Sequence, residues 1–264
     1  MKHSLVLKIS VAAAYAAMVA VNVLANALPI GGVRTGEASA RYPNLFTPAG
    51  VTFSIWGLIY LLLLAYTLYQ FGLGRQDAGP GREKLFAATG RYFILTSLAN
   101  ISWILAWHHG LIGLSVLIML LLLFFLIRIA DGLRKATFTW MDTLCLRLPF
   151  GVYFGWITVA TIANITVFLV SLGWKGFGVA EAAWTVIVLL LGAGIGTLRM
   201  RMDRDPFYGA ALVWAYGGIW LKHASRGGFH GQYPIVIMTT IACIVLFLGA
   251  IGSMAFRKSA AKET

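Results

Sequence analysis

The stretch LIGLSVLIMLLLLFFLIRIA (111–130) constrains the fold of the whole chain. An α-helix crosses the hydrocarbon core of a bilayer with roughly 20 apolar residues in a row. The stretch has no alternation of period two, so a membrane barrel strand is excluded. Seven further stretches, at about 5–28, 49–72, 92–109, 149–172, 180–198, 207–224 and 233–256, read as spans of the same kind. Composition agrees: 11% of residues are charged and mean hydropathy is +0.82. Soluble domains carry about 25% charged residues, so this chain could not solvate its own surface. The expected fold is an all-α polytopic membrane bundle of about eight helices, embedded in the lipid bilayer.

The connectors refine this. HHG (108–110) alone separates the third and fourth spans, which predicts a tight helical hairpin. The 73–91 segment (GRQDAGPGREK within it) is rich in Gly, Pro and charge and reads as a mobile connector. The N-terminal stretch has a basic start and ends in Ala25-Asn26-Ala27, like a signal peptide. Its apolar run exceeds the 7–15 residues of such a peptide, so an uncleaved first span is expected.

The net charge of +12 does not point to nucleic acid, because the basic residues sit in short loops between apolar runs. Sixteen fall on one side: Lys2, Lys8, four in 73–91, four in 128–147, three in 199–204, and Arg257, Lys258 and Lys262. Five fall on the other: Arg34, Arg41, Lys175, Lys222 and Arg226. The positive-inside rule then puts both termini in the cytoplasm, most simply across a bacterial cytoplasmic membrane. Cys145 and Cys243 lie at or in apolar segments and suggest neither a disulfide framework nor a metal site.

Within the spans, some residues exceed what an anchor needs. The second span is entered through PNLFTPAGVTFSIWGLIY (43–60). On a helix Phe53, Trp56 and Tyr60 would share one face, Pro48 suits a first helical turn, and Thr52 and Ser54 can bond carbonyls one turn back. Interfacial anchoring is the simpler reading, but Trp56 and Tyr60 lie two to three turns in from Pro48. The third span holds Asn100, Trp103 and Trp107. An asparagine at that depth is costly unless bonded, either to a neighbouring helix or to a ligand. In the fifth span Trp156, Ala160 and Asn164 line one face: an aromatic wall, a gap, and a donor–acceptor pair.

Taken together, these stretches resemble the TspO or translocator-protein family (tryptophan-rich sensory proteins). Its second-helix pattern is matched by Pro43, Pro48, Trp56 and Tyr60, its third by Asn100 and Trp103, and its fifth by Trp156, Ala160 and Asn164. Departures are Leu45 and Thr52 where the family has Trp and Phe, Pro149 seven residues ahead of Trp156, and LGWK (172–175) in place of a sterol-type pattern. The resemblance covers residues 5–172. It implies a five-helix core over 1–172, with 173–264 as a three-helix C-terminal extension. It also implies a cavity for a small, flat, mostly apolar ligand of the porphyrin or haem type, with no resident cofactor. Trp56, Tyr60, Trp103 and Trp156 would be its walls, Asn100 and Asn164 its polar handles, and Ala160 its gap. Pro43, Phe46 and Pro48 would form a lid. The resemblance leaves a homodimer open.

The seventh span opens DRDPFYG, where Asp203 and Asp205 suit a helix N-terminus. His108 and His109 read as a polar turn, and His223 and His230 have no acid or cysteine nearby in sequence to complete a metal site. There is no HExxH, GxSxG or Gly-rich phosphate loop, and no paired intramembrane carboxylate. The expected role is a membrane receptor, sensor or carrier. A tetrapyrrole-degrading activity and a structural or assembly role are the alternatives.

Overall fold

The computed structural model describes residues 5–28, 41–72 and 80–260. They form eight long helices: α1 (Leu5–Ala27), α2 (Ile55–Tyr69), α3 (Pro80–His108), α4 (Ile112–Leu133), α5 (Leu148–Ser171), α6 (Glu181–Asp203), α7 (Pro206–Ala224) and α8 (Pro234–Ala260). No strand occurs among the described residues. Among the described residues, six helical segments are long and apolar enough to cross a membrane. α3 and α7 stand apart from these because Asn100, Trp103 and Trp107, or Gly, Tyr and Trp residues, dilute their aliphatic content. The chain is thus an integral membrane helical bundle, since in lipid only helices and closed barrels satisfy every backbone group. Lys2, Arg34, Arg75 and Lys262, used above to orient the chain, lie outside the described residues.

Two expectations need correction. Residues 80–91, read as a connector, are the first turns of α3. Pro80 opens the helix, where its missing N–H costs nothing, and the apolar side chain of Phe86 is buried. In the other, Phe53 does not extend the helix of Trp56 and Tyr60. Gly50–Ser54 is a 3₁₀ turn ahead of α2, and Pro48 precedes even that turn. The Thr52 hydroxyl has no hydrogen-bond partner among the described residues, because its carbonyl, not its side chain, makes the local contact.

The described chain falls into two compact units. The first takes in residues of 1–41 and 55–150, the second those of 42–54 and 151–264. The expected boundary at 172/173 falls inside the second unit.

In the first unit α3 and α4 form the hairpin that HHG predicts. Gly110, at φ +71°, donates to Trp107 O at 3.2 Å, and Leu111 N donates to Ala106 O at 2.9 Å. This paired closure needs a left-handed residue, which glycine adopts without strain. Tyr66 sits edge-on between Phe93 and Phe150, with ring centroids 5.4 Å and 4.8 Å away. Such edge contacts contribute about 0.5–1.5 kcal/mol each beyond burial. Asp142, 2% exposed, is a buried acid just ahead of α5. One oxygen accepts from Tyr69 OH (2.9 Å) and pairs with Arg82; the other accepts from Thr139 N (2.9 Å) and Thr139 Oγ1 (2.7 Å).

In the second unit Asp205 caps α7, accepting from Phe207 N (3.0 Å) and Tyr208 N (3.5 Å). Asp203 instead takes Arg199 Nε at 2.7 Å. Glycine lets α5 approach α7: a Cβ on Gly155 would lie 2.8 Å from that of Ala211. The approach brings Tyr208 OH to Thr158 Oγ1 at 3.1 Å.

Asn22, unremarked in the first apolar span, donates to Asn100 Oδ1 at 2.7 Å and to Met18 O at 2.9 Å. An interhelical bond of this kind contributes about 1 kcal/mol in a membrane. Asn100→Leu should therefore lower stability by about 1 kcal/mol, and Asn22→Leu/Asn100→Leu should lower it less, since removing both partners orphans neither. Reversible unfolding in mixed micelles checks this; strict additivity of the two changes would contradict it.

Candidate functional site

The segment leading into the second span is the least regular stretch of buried backbone in the second unit. Asn44 shapes it. Its Oδ1 accepts from Phe46 N (3.0 Å), Thr47 N (2.9 Å) and Thr47 Oγ1 (3.1 Å), and its Nδ2 donates to Tyr42 O (2.9 Å). This Asx turn replaces the bonds a helix would have provided.

Side chains from two helices then hold the next residue. Leu45 N donates to Glu181 Oε1 at 3.1 Å, and Leu45 O accepts from His223 Nε2 at 2.8 Å. A carbonyl only accepts, so Nε2 carries the proton. Further along, Ala49 N donates to Gly218 O at 3.0 Å, and Trp214 Nε1 donates to Thr52 O at 2.8 Å. Contacts at 45/223, 49/218 and 52/214 mean that the segment runs antiparallel along α7. Gly218 permits it, since a Cβ there would overlap the Thr52 side chain.

Beneath this strap is a cavity of about 480 Å³, wholly within the second unit. That is the size range of small-molecule sites. Pro43, Asn44, Leu45 and Phe46 form one wall. Thr166, Leu169 and Val170 of α5 form the second, and Glu181, Trp184, Thr185 and Val188 of α6 the third. The 173–179 loop closes one end with Trp174 and Lys175. Loop geometry is set at Gly173 (φ +68°), where Trp174 N donates to Leu169 O at 3.1 Å, and at Gly176 (φ +60°). Trp184 lies against Gly176, donating Nε1 to its carbonyl at 2.7 Å; a Cβ at 176 would meet the indole at 2.7 Å. Trp174 packs on Trp184 with centroids 5.2 Å apart. Lys175 and Glu181 are exposed while Leu45, Phe46 and Thr185 are buried, so the cavity has a polar mouth and an apolar interior.

The residues expected at the site divide between the units. In the first, Trp56 stacks on Tyr60 (5.6 Å, 22°) and on Trp103 (6.5 Å, 30°), which stacks on Trp107 (5.6 Å, 22°). Asn100 takes the bond from Asn22. In the second, Trp156 is buried edge-on to Phe53 at 5.8 Å, Asn164 is buried and Ala160 half-buried on the same helix. The lining of the cavity includes none of these seven. Of the lid residues, Pro43 and Phe46 line it; Pro48 is buried but does not.

Sequence reasoning passed over Asn44, Glu181 and Trp184, and weighed His223 only as a metal ligand. Asn44 alone had a local signal, a turn-forming residue directly after a proline. Glu181 and His223 are 136 and 178 residues from Leu45, so their pairing has no local trace. Among the described residues no group of three or more His, Cys, Asp or Glu side chains could hold a metal ion.

If Glu181 and His223 hold the strap, Glu181→Ala should speed amide exchange over 42–48 about tenfold or more, because a hydrogen bond to a charged group contributes about 1.5–3 kcal/mol, and His223→Leu should speed it about threefold or more, because a neutral one contributes about 0.5–1.5 kcal/mol. Exchange read by mass spectrometry in nanodiscs tests this; unchanged protection in both variants would refute it.

A family model described as TSPO-like protein matches residues 8–253. The match continues past residue 172 through α6 and α7 and over most of α8. No curated protein and no solved structure matches the chain.

Proposed function

From the premise that the chain belongs to the TSPO-like protein family, we propose that it is a membrane receptor, sensor or carrier that takes a small, mostly apolar ligand into the cavity under the strap. The observation that carries this reading is the cavity itself: about 480 Å³, apolar inside, polar at its mouth, and roofed by the Pro43–Phe46 segment. A pocket lined mainly by aliphatic and aromatic groups with few polar ones suits a ligand of that character. A flat tetrapyrrole is the class that the family resemblance favours. The positive-inside reading puts both termini in the cytoplasm and the mouth on the opposite face. The strap would serve as the lid, tied down by bonds to Glu181 and His223 that can be remade after each opening.

The aromatic face of α5 bearing Trp156, Ala160 and Asn164, expected at the outset to bind ligand, gives a distinct prediction. Protoporphyrin titration into protein-loaded nanodiscs, with empty nanodiscs as reference, separates the two. With the cavity as the site, Val170→Trp fills it and should weaken saturable binding at least tenfold, while Trp156→Leu/Asn164→Leu should change affinity less than threefold. Wild-type affinity in a folded Val170→Trp variant would sink the cavity as the site. Loss confined to the double variant would return the site to the α5 face.

A further inference from the structure

The polar lining of the cavity can be accounted for group by group. The Thr166 hydroxyl donates to Ile162 O (2.9 Å) and the Thr185 hydroxyl to Glu181 O (2.9 Å). The Trp184 indole is committed to Gly176 O. Asn44 Oδ1 already accepts three bonds. Glu181 has given one oxygen to Leu45 N, and that bond helps to hold the strap. The two hydroxyls and the Trp184 indole are thus spent within the protein, which leaves the Trp174 indole N–H as a neutral donor at the exposed end of the cavity.

Lys175 is different. It lines the cavity and is exposed, its carbonyl accepts from Gly178 N at 3.1 Å, and among the described residues its ammonium makes no hydrogen bond and has no carboxylate within 4.0 Å. An ammonium at the mouth of an otherwise apolar cavity is the strongest donor left for a bound molecule. A ligand cation would have to turn to Glu181 and compete with the Leu45 N–H. A ligand anion at Lys175 disturbs nothing.

From this accounting we infer that the cavity takes an amphipathic carboxylate, its apolar body between Leu169, Val170 and Val188 and its carboxylate at the Lys175 ammonium. The one positive charge of Lys175 matches a single carboxylate group better than a phosphate dianion. The bond is charge-assisted and sits at the wet end, where the head can shed water late on entry. This inference rests on the cavity being the ligand site.

The test compares protoporphyrin IX with its dimethyl ester, which keeps the ring and removes the acid charge. Titrations use nanodiscs of zwitterionic lipid, so that lipid charge does not sort the two probes. Wild type should bind the acid at least tenfold more tightly than the ester. Lys175→Met should abolish that preference and leave ester affinity within twofold of wild type. Val170→Trp should weaken both probes. Equal binding of acid and ester by wild type, or a preference that survives in Lys175→Met, overturns the carboxylate assignment. If Val170→Trp weakens both probes in that case, the cavity still stands as the site. If Val170→Trp weakens neither, the cavity and the assignment fall together.

Discussion

The second unit depends on how a non-helical buried backbone is satisfied. Lipid and protein interior offer no water to an exposed N–H or C=O, so irregular backbone persists only where protein groups replace the missing ladder. Leu45 is 3% exposed and belongs to no helix. Its N–H and C=O are each met by a side chain, from α6 and from α7. Asn44 meets the two following N–H groups. These bonds fix where the strap lies, and the strap then supplies one wall of the cavity. Remove the partners and the wall has no reason to stay folded over the opening.

Close approach makes this fixing work. Hydrogen bonds from Ala49 to Gly218 and from Trp214 to Thr52 require the strap to sit almost on the α7 backbone. The missing Cβ of Gly218 allows it. At the other end, Gly176 does the same for Trp184, whose indole edge reaches the loop through its Nε1–H bond to Gly176 O. Small residues are the usual means by which membrane helices approach without a hydrophobic driving force. Here they bring non-helical segments against helices and leave a bounded space between.

The architecture was legible because its signal is local. Span length, the HHG turn and the Asp205 cap are each specified by neighbouring residues, and each appears in the structure where the chain placed it. Two things were not legible. Hydropathy could not locate the start of α3, because residues 80–91 form an amphipathic turn-rich helix outside the apolar window. Periodicity misassigned Phe53, because a 3₁₀ turn breaks the register that groups it with Trp56. Asn22 and Asn100 are 78 residues apart, and either could equally have been a ligand handle or a helix contact from sequence. The expected site residues each fall in ordered aromatic or polar arrangements. The cavity, by contrast, is assembled from residues of strap, α5, loop and α6 with no shared motif.

The polarity of the cavity follows from the order of the chain. α5 ends at Ser171 and α6 begins at Glu181, so the loop between them sits at the ends of two helices. Charge at such a position is cheap, whereas a charge a few turns deeper, near Val188 or Thr166, would carry the penalty of the membrane interior. Lys175 and Glu181 are therefore where ionic groups can be held without a buried partner, and Leu169, Val170 and Val188 are where they cannot. This division is what the proposed amphipathic ligand rests on, its charged end on the loop side. The division of the cavity into a charged and an apolar zone is then a consequence of where two helices end.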